Sequence, residues 1–86
     1  MKKQIVRIGL RNGLEPRPVA MLVQVASKYD SRVYLETGGK KVNAKSIMGM
    51  MSLGLDLGEE VTVIADGVDE ADAVENIERY LNGVVA

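Results

Sequence analysis

At 86 residues the chain has room for one domain around one core and too little for two, and a hydrophobic share of 47% with a mean hydropathy of +0.01 places it among folding sequences, not disordered ones. It has no cysteine and no histidine, which excludes disulfides and thiolate metal sites and removes the commonest metal ligand and general base, so that any catalysis would rest on carboxylates. The net charge of −1 conceals a split, because residues 1–45 carry ten Lys or Arg against three acids and residues 46–86 one Arg against nine; the basic residues are spread out without a cluster, which ranks direct nucleic-acid binding low.

Tyr29, Tyr34 and Tyr80 are the only aromatic residues, so the core is aliphatic. No apolar run approaches the roughly 20 residues of a membrane span, and Met1-Lys2-Lys3 passes into an alternating pattern in place of a signal-peptide core. The expectation is a soluble cytoplasmic protein, a single domain over residues 1–86, with no membrane partner, no metal and no cofactor.

Residues 4 to 10 alternate, with Val6, Ile8 and Leu10 pointing one way and Ile5, Arg7 and Gly9 the other, which predicts a half-buried strand. Asn12-Gly13 is a turn, and Pro16 and Pro18 suit the first turn of a helix, where a missing N–H is harmless. That helix places Val19, Leu22, Val23, Ala26 and Tyr29 on one buried face, with Ala20 and Met21 toward its edge and Gln24 and Lys28 outside. Val33 and Leu35 alternate with Arg32, Tyr34 and Glu36; Gly38-Gly39 and then Lys41-Val42-Asn43 complete a hairpin with a two-residue turn.

Ser46 stands directly before the apolar run Ile47-Met48, the position of an N-cap. The helix it opens is short, interrupted by Gly49 and ended by Gly54. Met50 and Leu53 share one face of it, leaving Ile47, Met48 and Met51 on the other. An exposed apolar patch of adaptable methionines beside a serine, with Lys45 adding a cation, reads as a modifiable docking site, since a helix start accommodates a phosphate. The plainer alternative makes Ser46 only a cap and the methionines only core. Further along, Val61 to Ala65 predicts a fourth strand closed by Asp66-Gly67, and Asp69 with Asp72 predicts the start of a helix. That helix turns Ala73, Val74, Ile77, Tyr80 and Leu81 inward and Asp72, Glu75 and Glu78 outward, and stops near Gly83. The order is βαββαβα, an α+β fold in which an antiparallel sheet carries its helices on one face.

Two segments carry a resemblance that covers the chain. Gly13-Leu14-Glu15-Pro16-Arg17-Pro18 resembles the active-site loop of the HPr family, the histidine-containing phosphocarriers of the sugar phosphotransferase system, and Lys45 to Leu53 resembles the family's regulatory serine segment. The resemblance implies an open-faced β-sandwich, a four-stranded antiparallel sheet with three helices on one face. At the position of the family's phosphate-accepting histidine this chain has Glu15, and Pro16 replaces a small residue. A chain that keeps the serine and lacks the histidine is most similar to the catabolite repression HPr-like branch of the family, Crh, in Gram-positive bacteria.

What that resemblance implies is regulation and no enzymatic chemistry. HPr kinase/phosphorylase phosphorylates Ser46, and the product acts as corepressor of a LacI-type catabolite control protein, to which any DNA contact belongs. Lys45, Ile47, Met48 and Met51 would dock the partner, with Arg17, Ala20 and Gln24 on the exposed side of the first helix extending the surface. Three other readings compete: a phosphocarrier in which Glu15 takes the phosphoryl group, a regulator of other metabolic enzymes, and a structural remnant without a partner. The expected state is a monomer, with exchange of strand one between two chains as a route to a homodimer.

Overall fold

The computed structural model describes residues 1–10 and 16–83; residues 11–15, with the Asn12-Gly13 turn and Glu15, and residues 84–86 lie outside the described residues. The elements are β1 (Lys2–Arg7), α1 (Pro16–Ser27), β2 (Arg32–Thr37), β3 (Lys40–Asn43), α2 (Ile47–Met51), β4 (Glu60–Asp66) and α3 (Glu70–Leu81). The strands form one antiparallel sheet in the order β1-β4-β2-β3, so the last strand in sequence lies between the first two. The three helices cover one face, and the other face is open.

Alternation along each strand decides which side chains enter the core. Val6, Val33, Leu35, Val61, Val63 and Ala65 point under the helices and are buried, against Val19, Leu22 and Ala26 of α1, Met50 of α2, and Ala73, Val74, Ile77, Tyr80 and Leu81 of α3. Each buried Val, Leu, Ile or Met among them contributes about 1.5–3 kcal/mol, and each alanine less. On the open face Lys3, Ile64, Tyr34 and Asn43 stand in one cross-strand row, where neighbours cover Ile64 to 3% exposure while Ile5 stays exposed. The β2–β3 turn is the expected two-residue hairpin: Gly38 (φ 56°) and Gly39 (φ 78°) both take the left-handed backbone that a type I′ turn demands.

Three expectations are corrected. Strand one runs from Lys2 to Arg7, not over residues 4–10, because its ladder to β4 ends at Arg7 opposite Glu60; Ile8 remains buried but bonds to the turn before β4. Gly49 does not interrupt α2, which continues through it to Met51; the C-cap is Ser52, and Gly54 (φ 62°) then redirects the chain. Met21, placed at the edge of the buried face, is 51% exposed.

The start of α3 is tied to the other half of the fold. Asp69 occupies the N-cap position, yet its side chain makes no cap bond; the carboxylate instead accepts from the backbone N–H of Asp30 at 2.9 Å, that of Ser31 at 3.0 Å and the Ser31 hydroxyl. Ser31 is fully buried, and Gly67 packs so closely on it that an added Cβ would lie 2.6 Å from its Cα. These bonds hold the Asp69 carboxyl below the usual carboxylate range, the Ser31 hydroxyl foremost and the Asp30 amide next.

Because the lower pKa belongs to the folded state, the stabilisation is complete above the unfolded carboxyl's pKa near ~4 and is lost as pH falls through the depressed folded value. Urea unfolding at a series of pH values should therefore show Asp69→Asn flattening the acid limb of the stability curve, with Ser31→Ala costing about 1 kcal/mol at neutral pH. An unchanged acid limb in Asp69→Asn would remove this carboxylate from the account.

Candidate functional site

The segment between β3 and α2 is a chain of local hydrogen bonds. The Asn43 side-chain oxygen accepts from the Lys45 N–H at 2.8 Å, and the Asn43 carbonyl accepts from the Ser46 N–H at 3.0 Å, which turns the chain sharply out of the strand. Ala44, inside this turn, is fully buried and donates its N–H to the Val33 carbonyl at 2.9 Å. Ser46 then has extended backbone (φ −117°, ψ 116°) and its hydroxyl oxygen accepts from the Gly49 N–H at 3.2 Å, while its carbonyl accepts from the Met50 N–H at 3.1 Å. This is the N-cap geometry expected from the sequence. Gly49 belongs to it: a Cβ there would sit 3.4 Å from the Ser46 hydroxyl oxygen and 3.5 Å from Val42 Cβ, so its absence leaves the hydroxyl room on that side.

The helix divides as expected. Met50 is buried and Leu53 half-buried, whereas Ile47, Met48 and Met51 are exposed to 44%, 85% and 43%. Helix α1 packs against α2, and along its outer side Arg17 and Gln24 are exposed and Ala20 is half-buried. Arg17 and Gln24 are seven residues apart, about 10 Å along the axis. Neither helix carries an acidic side chain, so among the described residues the surface combines apolar groups, the cations Arg17 and Lys45 and the neutral Gln24.

Lys45 is less free than its sequence position suggests. Its side chain is half-buried and its ammonium donates to the Tyr29 carbonyl, just beyond α1, at 2.8 Å. It thereby joins the cap of α2 to the end of α1, with two donors left over. At the other end of α2 the Lys40 ammonium donates to the Ser52 carbonyl at 3.2 Å and the Ser52 hydroxyl to the Gly49 carbonyl at 2.6 Å; a cation at a helix C-terminus complements the dipole. Sequence reasoning missed Met21, Asn43 and Lys40. The Asn43-x-Lys45 spacing of an Asx-turn was a usable signal, but the reach of Lys40 exists only in three dimensions. Among the described residues no group of Asp or Glu could hold a metal ion, and no helix is long and apolar enough to cross a membrane.

The family profile described as PTS HPr component phosphorylation site matches residues 2–83. The chain belongs to the HPr family. It is 52% identical over 81 residues to the HPr-like protein Crh of Bacillus subtilis, covering 94% of this chain and 95% of the relative, and 43% identical over 81 residues to the Crh of Halalkalibacterium halodurans. Among solved structures, the phosphocarrier HPr of Bacillus anthracis superposes with a TM-score of 0.90 at 40% identity, covering 93% of this chain and 95% of that one. A crystal structure of Bacillus subtilis Crh, described as a swapped dimer, superposes with a TM-score of 0.81 at 50% identity, covering 100% of this chain and 99% of that one. The open-faced α+β sandwich read from the sequence is the fold of these HPr and Crh structures.

Ser46→Ala deletes the cap acceptor and should cost about 1 kcal/mol, whereas Ser46→Asp, itself a good N-cap, should unfold within about 0.5 kcal/mol of the unsubstituted protein; urea titration followed by circular dichroism measures both. Equal losses in the two variants would show that the side chain does not cap α2.

Proposed function

We propose that this HPr-family chain is a serine-phosphorylated regulatory adaptor of carbon catabolite repression, acting in the cytoplasm. HPr kinase/phosphorylase phosphorylates Ser46, and the phosphoprotein binds a LacI-type catabolite control protein as its corepressor, which supplies the contact with DNA. The observation that carries this reading is the cap itself: Ser46 presents its hydroxyl at the start of α2 beside the exposed Ile47, Met48 and Met51. A phosphate there adds about −1.5 to −2 charges and three acceptor oxygens at a helix start, beside two helices that carry no acidic side chain. Identity to the Crh proteins supports the regulatory branch over the carrier.

Binding then has two parts. New charge-assisted bonds from the phosphate to a basic side chain of the repressor contribute about 1.5–3 kcal/mol each, roughly ten- to a hundred-fold in affinity. The apolar remainder comes from Ile47, Met48 and Met51, extended along α1 by Ala20 and Gln24, with Arg17 pairing an acid of the partner and Lys45 bracing the cap. Met21 joins this surface on the strength of its exposure.

The phosphocarrier reading has one point in its favour, the phosphorylation-site profile. Against it stands a chain without histidine, with the carboxylate of Glu15 where the family has the acceptor nitrogen. One labelling experiment separates the two. HPr kinase with ATP should add a single phosphate at Ser46, absent from Ser46→Ala, and phosphoenolpyruvate with the first phosphotransferase enzyme should add none. Calorimetry should then find the repressor bound at least ten-fold tighter by the phosphoprotein, with Ile47→Ala and Met51→Ala weakening the complex while leaving phosphorylation intact. Stable label from phosphoenolpyruvate that disappears in Glu15→Gln would establish the carrier instead.

The swapped dimer described for Bacillus subtilis Crh supports a second element of the proposal: this chain equilibrates between a monomer and a homodimer in which β1 pairs with β4 of the other copy. β1 is an edge strand, bonded along one side only, so it can leave without breaking any other strand pair. Ile5 and Thr62 stand opposite each other across β1 and β4, with Cα atoms about 4.5–5.5 Å apart, a spacing a disulfide spans. In this cysteine-free chain, Ile5→Cys with Thr62→Cys should oxidise within each chain in the monomer fraction and between chains in the dimer fraction, as non-reducing gels would read. A dimer whose disulfides all close within single chains would rule out exchange of β1.

A further inference from the structure

We propose that the backbone contact between Gly9 and the end of α3 is a latch that sets the rate of β1 exchange and not its extent. The inference rests on the exchange reading above. Past Arg7 the ladder to β4 has ended, and the chain is held by three backbone bonds: the Ile8 N–H donates to the Glu59 carbonyl at 2.8 Å, the Gly58 N–H to the Ile8 carbonyl at 2.8 Å, and the Gly9 N–H to the Leu81 carbonyl at 2.6 Å. The third is the one that ties β1 to a helix and not to the strand it already pairs with.

Glycine is required on both sides of that contact. A Cβ on Gly9 would collide with the Asn82 carbonyl oxygen, and Gly83, at φ +80°, lies so near that its own Cβ would stand 2.7 Å from the Gly9 carbonyl oxygen. The two backbones touch directly, and neither can carry a side chain without moving apart. Gly9 itself is solvent-exposed, between the buried Ile8 on its own strand side and the buried Leu81 that it bonds; the contact closes the end of β1 onto α3.

In the closed monomer, Gly9 bonds Leu81 of its own chain, and in the exchanged dimer it bonds Leu81 of the other copy in the same geometry. A contact present in both end states cancels from the equilibrium constant. It is absent only from the open form, in which β1 has left one sheet and not yet entered another, so it contributes to the barrier alone. Exchange is thus slowed by a device that does not favour either oligomer.

The test uses the full chain. Isolated monomer is concentrated and its conversion followed by size-exclusion chromatography, for the unsubstituted protein, Gly83→Ala, Gly9→Ala and the control Gly54→Ala. The control also strains a left-handed glycine, but one with open space around it and no contact with β1. Gly83→Ala and Gly9→Ala should shorten the approach to equilibrium about ten-fold or more, with the final dimer fraction within about two-fold of the unsubstituted protein, and Gly54→Ala should leave the rate alone. If Gly9→Ala fails to fold, Gly83→Ala probes the same contact from the helix side. Unchanged rates, an altered dimer fraction at unchanged rate, or equal acceleration by Gly54→Ala would each overturn the latch. Absence of dimer at every concentration, or disulfides confined to single chains in the cysteine pair, would overturn the exchange reading and the latch with it.

Discussion

The placement of β4 between β1 and β2 is the constraint on which the rest of this fold depends. Its inward residues Val61, Val63 and Ala65 lie at the centre of the core, and it supplies the hydrogen bonds of both neighbours. Yet it is the last strand made, and its partner β1 is the first. Between them lie residues 8–59, more than half of the chain, so the β1–β4 pair closes a long loop, whereas β2 and β3 meet through two glycines. Long-range pairing is slow and entropically costly to close. Two consequences follow. The local half, β2-β3-α2, is joined by short connections, leans on β4 through β2, and carries the serine. The non-local half depends on a terminal strand whose pairing partner is equally available on another copy of the same chain, and the backbone contact at Gly9 stands where that pairing ends.

The fold was legible in the sequence because local and global preferences agree. The double glycine at 38 and 39, the spacing of Val19, Leu22 and Ala26, and the β-branched run at 61 to 65 each admit one element, and the observed elements coincide with them. Illegible were the features set by a distant neighbour. Alternation continued past Arg7 because Ile8 is buried, but burial without a partner strand is not a ladder. Asp69 had the spacing of a cap, but the unpaired amides of Asp30 and Ser31, thirty-eight residues or more away in sequence, compete for its carboxylate and win. Met21 sat at the border of an apolar arc, and the fold leaves it 51% exposed.

The site was legible for a different reason. Ser46 and Gly49 form a cap within four residues, and a short helix that buries Met50 turns Met48 to the opposite side, with Ile47 and Met51 on its flanks. Lys45 shows the limit of that logic. Counted as a free cation beside the serine, it spends a donor on the Tyr29 carbonyl, so its first task is to fix the cap against α1. A cap held from both sides, by the Asn43 turn before it and by Lys45 across to α1, presents its N–H groups in a settled direction before any phosphate arrives. This is why charge and not rearrangement is the natural currency of a modification there.

The two devices, the serine cap and the β1 latch, sit at opposite edges of the sheet. β1 and β3 are separated by β4 and β2, which at about 4.8 Å per strand spacing puts roughly 14 Å between the edge strands, and α2 follows β3. Charges that far apart at an exposed surface are largely screened at physiological ionic strength, where the Debye length is about 8 Å. The Ser46 bonds run to Asn43, Gly49 and Met50 and the Gly9 bond runs to Leu81, so the connection between them is indirect, through Tyr29, whose carbonyl accepts from Lys45 and whose hydroxyl accepts from Asn76 of α3. On the proposed reading, phosphorylation would change what the α1–α2 surface can bind, and strand exchange would change how many such surfaces one particle presents. A dimer phosphorylated on both copies would then gain avidity for a partner with two matching sites only where both patches can engage at once, a geometric condition that the positions of the two edges impose.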